Sequence, residues 1–158
     1  MAGDDGLITI PSSHSAPETV ARLKAVLNAR GVTVFAEIDH AERAIEADMD
    51  LRPTMLIVFG SPRAGTPLMQ DKQRAGIDLP LKALIWEDGD GKVWLTYNDP
   101  AWLARRHALD RRTERFVSAL SATLAVLCRT LQVDDLAYLK VIAICLRCGD
   151  DLHRHRAR

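Results

Sequence analysis

The fold is decided by the stretch from Arg52 to Pro100, RPTMLIVFGSPRAGTPLMQDKQRAGIDLPLKALIWEDGDGKVWLTYNDP. Met55 to Phe59 is apolar at every position, which predicts a strand covered on both faces and central in its sheet. Leu81 to Trp86 and Val93 to Tyr97 are strand-like runs joined by a turn that contains glycine, so they predict a β-hairpin. A loop rich in glycine and proline, with helical pieces, connects the first strand to the hairpin.

Sequence patterns on either side of this stretch predict the remaining elements. They are a strand over Leu7–Ile10, a helix from Ser15 to a stop at Gly31, a half-exposed strand over Val32–Ile38, a short helix over Ala41–Ala47 and a helix that begins at Pro100. Asn98 or Asp99 can cap the last of these helices. Segregation of strands and helices predicts an α+β fold with a β-α-β-β-β-β-α order, an antiparallel-rich sheet and helices on one face.

Composition limits the functional classes open to the chain. The 158 residues, 47% of them hydrophobic, are enough for one substantial core. The 21 basic and 21 acidic side chains cancel, so net charge favours neither a nucleic-acid nor a membrane partner. Residues 105–158 are nevertheless basic, but they offer few aromatic side chains on which bases could stack, so nucleic acid is not an expected partner.

The sequence also carries expectations about location. The first six residues, MAGDDG, have no apolar run and predict no secretory signal. Charged residues interrupt every apolar pattern well before the roughly 18 residues that a membrane span needs. Three cysteines, an odd number, favour a reducing cytoplasm over a disulfide framework.

Several motifs, taken in their order, resemble the domain-of-unknown-function-302 family. They are Pro53-Thr54 entering an apolar strand, Gly60 to Met69, Gly76 to Lys82, Trp86-Glu87-Asp88 and Tyr97 to Pro100. The resemblance covers roughly Leu7 to His107. It implies a fold akin to half of the TATA-binding protein and a homodimer, and it implies no reaction. Residues after about Leu109 are expected to lie beyond the family pattern, which divides the chain into an α+β domain over 1–109 and a helical extension with a basic tail over 110–158.

The Gly60–Met69 loop is the leading candidate for a ligand site. Thr66 followed by Pro67 predicts an N-cap and a first helical residue, whose neighbouring amides would point toward an anion. The ligand-binding residues predicted in and around this loop are Arg63, Thr66, Leu68, Met69, Asp78 and Lys82. The sequence thus favours a noncatalytic, dimeric binding or assembly module with a pocket for a small anionic ligand. The alternative is that the glycines and prolines only route the backbone.

An enzyme is the second hypothesis. It would use Asp78, Glu87 or His40 as an acid or base beside the loop, although no complete catalytic signature assigns a catalytic residue. Ser12, Ser13 and His14 are interpreted as a solvated turn, because adjacent side chains on an extended segment point to opposite faces. No nucleotide motif is present, and no organic cofactor is predicted.

The C-terminal part predicts a helical hairpin that packs on the core or on a partner subunit. Its first apolar stripe comprises Phe116, Leu120, Leu124, Leu127 and Leu131, and its second comprises Leu136, Leu139, Ile142, Ala143 and Leu146. A metal-binding protein is the third hypothesis, because Cys145, Cys148, His153 and His155 have a spacing compatible with zinc or copper.

Overall fold

The structure, a computed structural model, describes residues 5–132. Its strands are β1 (Leu7–Pro11), β2 (Thr33–Asp39), β3 (Thr54–Gly60), β4 (Leu81–Glu87) and β5 (Val93–Asn98). Its helices are α1 (Ala16–Ala29), α2 (His40–Glu46), α3 (Pro62–Asp71), α4 (Pro100–Arg106) and α5 (Glu114–Thr130), with short 3-10 turns at Gln73–Ile77 and Arg111–Thr113. The α+β class and the predicted succession of strands along the chain are confirmed.

The five strands form one antiparallel sheet in the order β1-β5-β4-β3-β2. The central strand is therefore β4, and the prediction that Met55–Phe59 is central is wrong. That segment pairs on both of its edges, and Ile57 and Phe59 are buried, whereas Leu56 and Val58 are only partly buried. A continuous apolar run indicates that a strand is interior to the sheet. It does not indicate where that strand lies among the other strands.

One core lies between the sheet and the long helices. Its centre contains Leu23, Leu27, Ile57, Phe59, Ile85, Leu95, Leu124, Leu127 and Leu131. Side chains from α5 are part of this cluster, so the first predicted stripe of the C-terminal region packs on the sheet domain. The second stripe lies outside the described residues.

Side-chain caps explain where two helices begin. The Ser15 hydroxyl accepts a hydrogen bond from the Glu18 amide at 3.4 Å at the start of α1. The Asp99 carboxylate accepts from the amides of Ala101 and Trp102 at 3.0 and 3.2 Å at the start of α4. Asp99, and not Asn98, is therefore the cap of the helix that begins at Pro100.

A β-bulge at Phe35 interrupts β2. Val34 pairs with Phe59 and Ala36 pairs with Val58, so Phe35 is an extra residue without a partner on β3. The simple alternation predicted for this strand therefore fails at Phe35, because one inserted residue shifts the faces of those that follow. Within residues 5–132, no helix is long and apolar enough to cross a membrane.

Candidate functional site

Helix α3 begins five residues earlier than its predicted first residue. Ser61 is the N-cap and Pro62 is the first helical residue, while Pro67 lies inside the helix. Pro62 and Pro67 are both suited to the first helical position, and Pro62 occupies it. Because an amide inside an α-helix donates to the carbonyl four residues back, the amides of Leu68 and Met69 do not face an anion. The predicted anion site at Thr66 is therefore wrong in its geometry.

The same loop instead borders a cavity of about 280 Å³. Its lining residues are Phe35, Gly60, Ser61, Pro62, Gly65, Thr66, Met69, Leu79, Pro80, Leu81 and Leu120. They come from β2, the end of β3, α3, the segment that enters β4, and α5. The cavity thus lies where β3 leaves the sheet and β4 enters it, because Phe59 and Leu81 are paired neighbours at that end.

Gly60 makes room for this cavity. A methyl group added at Gly60 would lie 3.3 Å from Pro80 Cβ and 3.6 Å from Phe35 Cε2. The contact with Pro80 would be tight and that with Phe35 an ordinary van der Waals contact, so glycine leaves room for Pro80 beside the end of β3.

The chemistry of the lining is apolar with two hydroxyl groups. Among the described residues that line the cavity, none carries a carboxylate, an amine, a guanidinium or an imidazole. The polar side chains are Ser61 and Thr66, and the Ser61 hydroxyl makes no capping hydrogen bond to α3. Such a lining suits an uncharged molecule, because an ion would lose its hydration without gaining a partner.

Two of the six predicted ligand residues line the cavity, and the other four lie elsewhere. Thr66 and Met69 line the cavity, and Leu68 points into the core with 4% of its surface exposed. Arg63 is exposed on α3 and is not a lining residue. Lys82 places its Nζ 3.4 Å from the carbonyl oxygen of Asp78 and 3.5 Å from that of Pro80.

Asp78 belongs to a partly buried polar contact that sequence patterns do not indicate. The Asp78 Oδ2 atom lies 2.6 Å from His107 Nε2, and its Oδ1 atom lies 3.5 Å from Arg106 Nη1. His107, at the end of α4, is 5% exposed. The adjacent cavity measures about 10 Å³, the size of one water molecule at most. The pair joins two segments and leaves no room for a substrate.

The acids proposed for an enzyme are not brought together. Asp78 precedes β4 and Glu87 ends it, so six strand residues separate them along the sheet. At about 3.3 Å per residue this distance is roughly 20 Å, which is beyond the reach of a shared reaction centre. His40 is the first residue of α2, on a different strand connection.

The hairpin between β4 and β5 is held by its own side chains. Trp94 Nε1 donates to Asp88 Oδ2 at 2.7 Å, and the rings of Trp86 and Trp94 stack with centroids 6.2 Å apart. The indole N–H and the amides of Lys92 and Asp90 hold the pKa of Asp88 below its usual range. The Asp88 carboxylate therefore accepts its hydrogen bonds within the hairpin.

Metal ligation has no support within residues 5–132, which contain no group of three or more His, Cys, Asp or Glu side chains able to hold an ion. The predicted ligands Cys145, Cys148, His153 and His155 lie outside the described residues. Cys128 is a free thiol 3.3 Å from the Tyr97 hydroxyl. Burial raises the pKa of both groups, and the contact with the neighbouring thiol raises that of Tyr97 further.

The connection between β1 and α1 is more ordered than the sequence indicates. Ser12 Oγ lies 2.7 Å from Thr19 Oγ1, and His14 Nδ1 lies 3.2 Å from Glu18 Oε1 with only 12% of the His14 side chain exposed. The interpretation of this segment as a solvated turn is wrong for Ser12 and His14. The end of α5 packs against it, since the Ser13 amide donates to the Leu131 carbonyl at 3.0 Å.

Comparison with known proteins adds a family and a set of relatives. Residues 8–127 match the family described as "Domain of unknown function DUF302". The match includes most of α5, so the expectation that residues after about Leu109 lie beyond the family pattern is wrong. A crystal structure of an uncharacterized conserved DUF302 protein from Bacillus stearothermophilus has the same fold, with a TM-score of 0.71 and 19% identity over 80% of this chain and 98% of that one.

Three curated relatives are named as fluoride-specific ion channels. FluC 1 of Brucella suis biovar 1 (strain 1330) is 52% identical over 117 residues, which are 74% of this chain and 46% of that protein. FluC 1 of Brucella abortus and FluC 2 of Brucella melitensis are also 52% identical over 117 residues, which are 43% of each. The chain therefore spans less than half the length of these relatives.

Proposed function

This chain belongs to the family described as "Domain of unknown function DUF302", and we propose that it is a noncatalytic binding module for a small ligand. The observation that carries the proposal is the cavity of about 280 Å³ beside α3. Ligand sites are concave, mostly apolar and supplied with a few polar groups that orient the ligand. The cavity has these properties, with Ser61 and Thr66 as its hydroxyl groups.

The side chains that line the cavity favour binding over catalysis. Acid-base and nucleophilic reactions need a titratable group within hydrogen-bond reach of the reacting atom. Among the described lining residues the only such candidates are two hydroxyls, and neither has a neighbouring base in the lining. Asp78 and His107 bind each other outside this cavity.

Native mass spectrometry of the freshly purified full chain tests this proposal. We expect a noncovalently bound small molecule on the unaltered protein and on Ala122→Leu, which changes an exposed position of α5. Gly65 lines the cavity, so the leucine side chain of Gly65→Leu should fill it and displace the molecule. A chain that carries no bound molecule, or a Gly65→Leu variant that retains it, would contradict the proposal.

We propose further that the module is a homodimer in the cytoplasm, where a free thiol such as that of Cys128 stays reduced. Four of the seven large apolar side chains that are exposed in residues 5–132 lie between residues 38 and 51. They are Ile38, Ile45, Met49 and Leu51. They come from the edge strand β2, from α2 and from the segment after α2, so they supply an apolar contact surface at one side of the sheet.

Sedimentation velocity tests the homodimer. The variant Ile45→Lys with Met49→Lys should sediment as a monomer, whereas Ile77→Lys, at a 74% exposed position outside this surface, should remain a dimer. Residues 42–52 contain four acidic and two basic side chains, so two facing copies repel and added salt should strengthen association. A monomeric unaltered chain at all concentrations, or a dimer weakened by salt, would argue against this contact.

The names of the curated relatives support a second candidate function. Identity of 52% over 117 residues to proteins named as fluoride-specific ion channels leads us to propose that this domain assists fluoride transport. Deletion of the protein in its source organism should then lower the fluoride concentration that stops growth, with chloride at equal concentration as the control. The unaltered gene should restore resistance. Growth that is equally sensitive to fluoride with and without the protein would exclude this role.

A further inference from the structure

The bulge in β2 directs Phe35 toward the cavity beside α3. As the extra residue of the bulge, Phe35 has no partner on β3, and its ring lies close to Gly60 at the end of that strand. Bulges re-aim side chains and are common beside functional sites. Phe35 is 52% exposed and belongs to the cavity lining. Its ring is therefore accessible to a molecule bound in the cavity.

Other groups in the lining favour an aromatic ring in the same place. The Met69 thioether contributes a polarizable sulfur, which makes favourable contacts with ring edges. Pro62 and Pro80 present apolar rings of restricted conformation, and their backbone is restricted before a ligand binds. The Ser61 hydroxyl, free of the capping role at α3, can donate or accept one hydrogen bond.

The size of the cavity and the lack of charge in its lining limit the class of ligand that it can bind. An apolar cavity of about 150 Å³ accommodates benzene, so a cavity of about 280 Å³ has room for a substituted ring or a fused bicyclic ring. No charged side chain lines it, which disfavours a carboxylate or an amine on the part of the ligand that enters.

We propose that this cavity selects small, uncharged aromatic molecules, with the ligand ring packed against Phe35 and one polar substituent directed to Ser61. This inference rests on the proposed binding function and specifies its ligand class. Phe35 is the specificity-determining residue, because aromatic pairs gain from ring geometry beyond the burial of apolar area.

The test is an NMR titration of the full ¹⁵N-labelled chain with phenol, indole, cyclohexanol and benzoate. Phenol and cyclohexanol share a hydroxyl and differ in aromaticity, while phenol and benzoate differ in charge. We expect phenol and indole to shift the amide signals of Ser61 and Gly65 at lower concentrations than cyclohexanol, and benzoate to leave them unchanged. The ring signals of Phe35 in the unaltered protein should move with phenol.

A matched pair of variants completes the test. Phe35→Leu keeps an apolar side chain and should raise the Kd for phenol roughly 2- to 12-fold while leaving that for cyclohexanol unchanged. Ile77→Leu, at an exposed position outside the lining, should change neither.

Two kinds of failure are distinguishable. Cyclohexanol or benzoate binding as tightly as phenol, or Phe35 ring signals that do not respond to phenol, would overturn the aromatic preference and leave the binding function standing. Signals that respond to none of the four molecules would overturn both.

Discussion

His107 and Asp78 are 29 residues apart in the chain, yet His107 Nε2 lies 2.6 Å from Asp78 Oδ2. The contact joins the end of α4 to the segment that enters β4. That segment continues through Leu79 and Pro80, which line the cavity beside α3. The pair therefore helps to hold one wall of the candidate ligand site.

Loss of the Asp78 carboxylate should destabilise the protein. Asp78→Ala leaves the buried His107 ring without its partner, and we expect the free energy of unfolding to fall by about 1–3 kcal/mol in urea denaturation. Asp78→Asn retains a hydrogen-bonding oxygen and should lose less. Asp90→Ala, at an exposed position, should stay within about 0.5 kcal/mol of the unaltered protein. Equal losses for Asp78→Ala and Asp90→Ala would show that the contact contributes nothing.

Alanine substitutions at Gly6 and Gly31 distinguish the cost of backbone strain from the cost of steric overlap. Both have positive φ, +76° and +63°, so alanine at either position should cost about 1–2 kcal/mol. A methyl group at Gly31 meets nothing within 4 Å, whereas one at Gly6 would overlap the Trp102 ring. Gly6→Ala should therefore lose at least about 1 kcal/mol more than Gly31→Ala in urea denaturation. Identical losses would mean that the Trp102 ring moves aside freely.

Gly65→Ala should stabilise the protein. Gly65 lies inside α3, where alanine is favoured by about 0.5–1 kcal/mol, and its added methyl group would make an ordinary contact of 4.0 Å with Leu79. Gly60→Ala is the comparison, because its methyl group would crowd Pro80 at 3.3 Å and should lower stability. Thermal unfolding followed by circular dichroism measures both. A lower melting temperature for Gly65→Ala would indicate that the cavity wall cannot accept a methyl group.

The raised pKa values of Tyr97 and Cys128 predict that the protein loses stability at alkaline pH. Burial raises the pKa of each group in the folded state, so the folded protein keeps protons that the unfolded chain releases. This contribution to stability is complete below the ordinary thiol and phenol pKa values and is lost as pH rises from those values toward the raised values of the folded protein, from roughly pH 9 upward. We expect the free energy of unfolding to fall between pH 7 and pH 10.5.

Tyr97→Phe is the control for this dependence, because it removes one of the two groups and keeps the ring. The variant should lose less stability than the unaltered protein over the same pH interval, as measured by urea denaturation. Since other groups such as lysines titrate in both proteins, the difference between the two slopes reports Tyr97. Parallel slopes would assign the alkaline loss to other groups.

Much of the fold is predictable because it depends on local chemistry. Ser15 caps α1, Asp99 caps α4, and the alternation of Leu81–Trp86 and Val93–Tyr97 produces the hairpin that the structure contains. Each of these features needs only neighbouring residues. The predicted loop borders the cavity, but the predicted N-cap at Thr66 is wrong, because the start of α3 depends on which of two prolines occupies the first helical position.

The sequence by itself determined the α+β class and the succession of strands and helices, since hydrophobic period and capping act within a few residues. Only the tertiary structure decided the order of strands, the burial of α5 in the core, the contact between Asp78 and His107, and the position of Phe35 beside Gly60. These features join residues distant in the chain. Their energies come from packing and from buried hydrogen bonds, which no local pattern encodes.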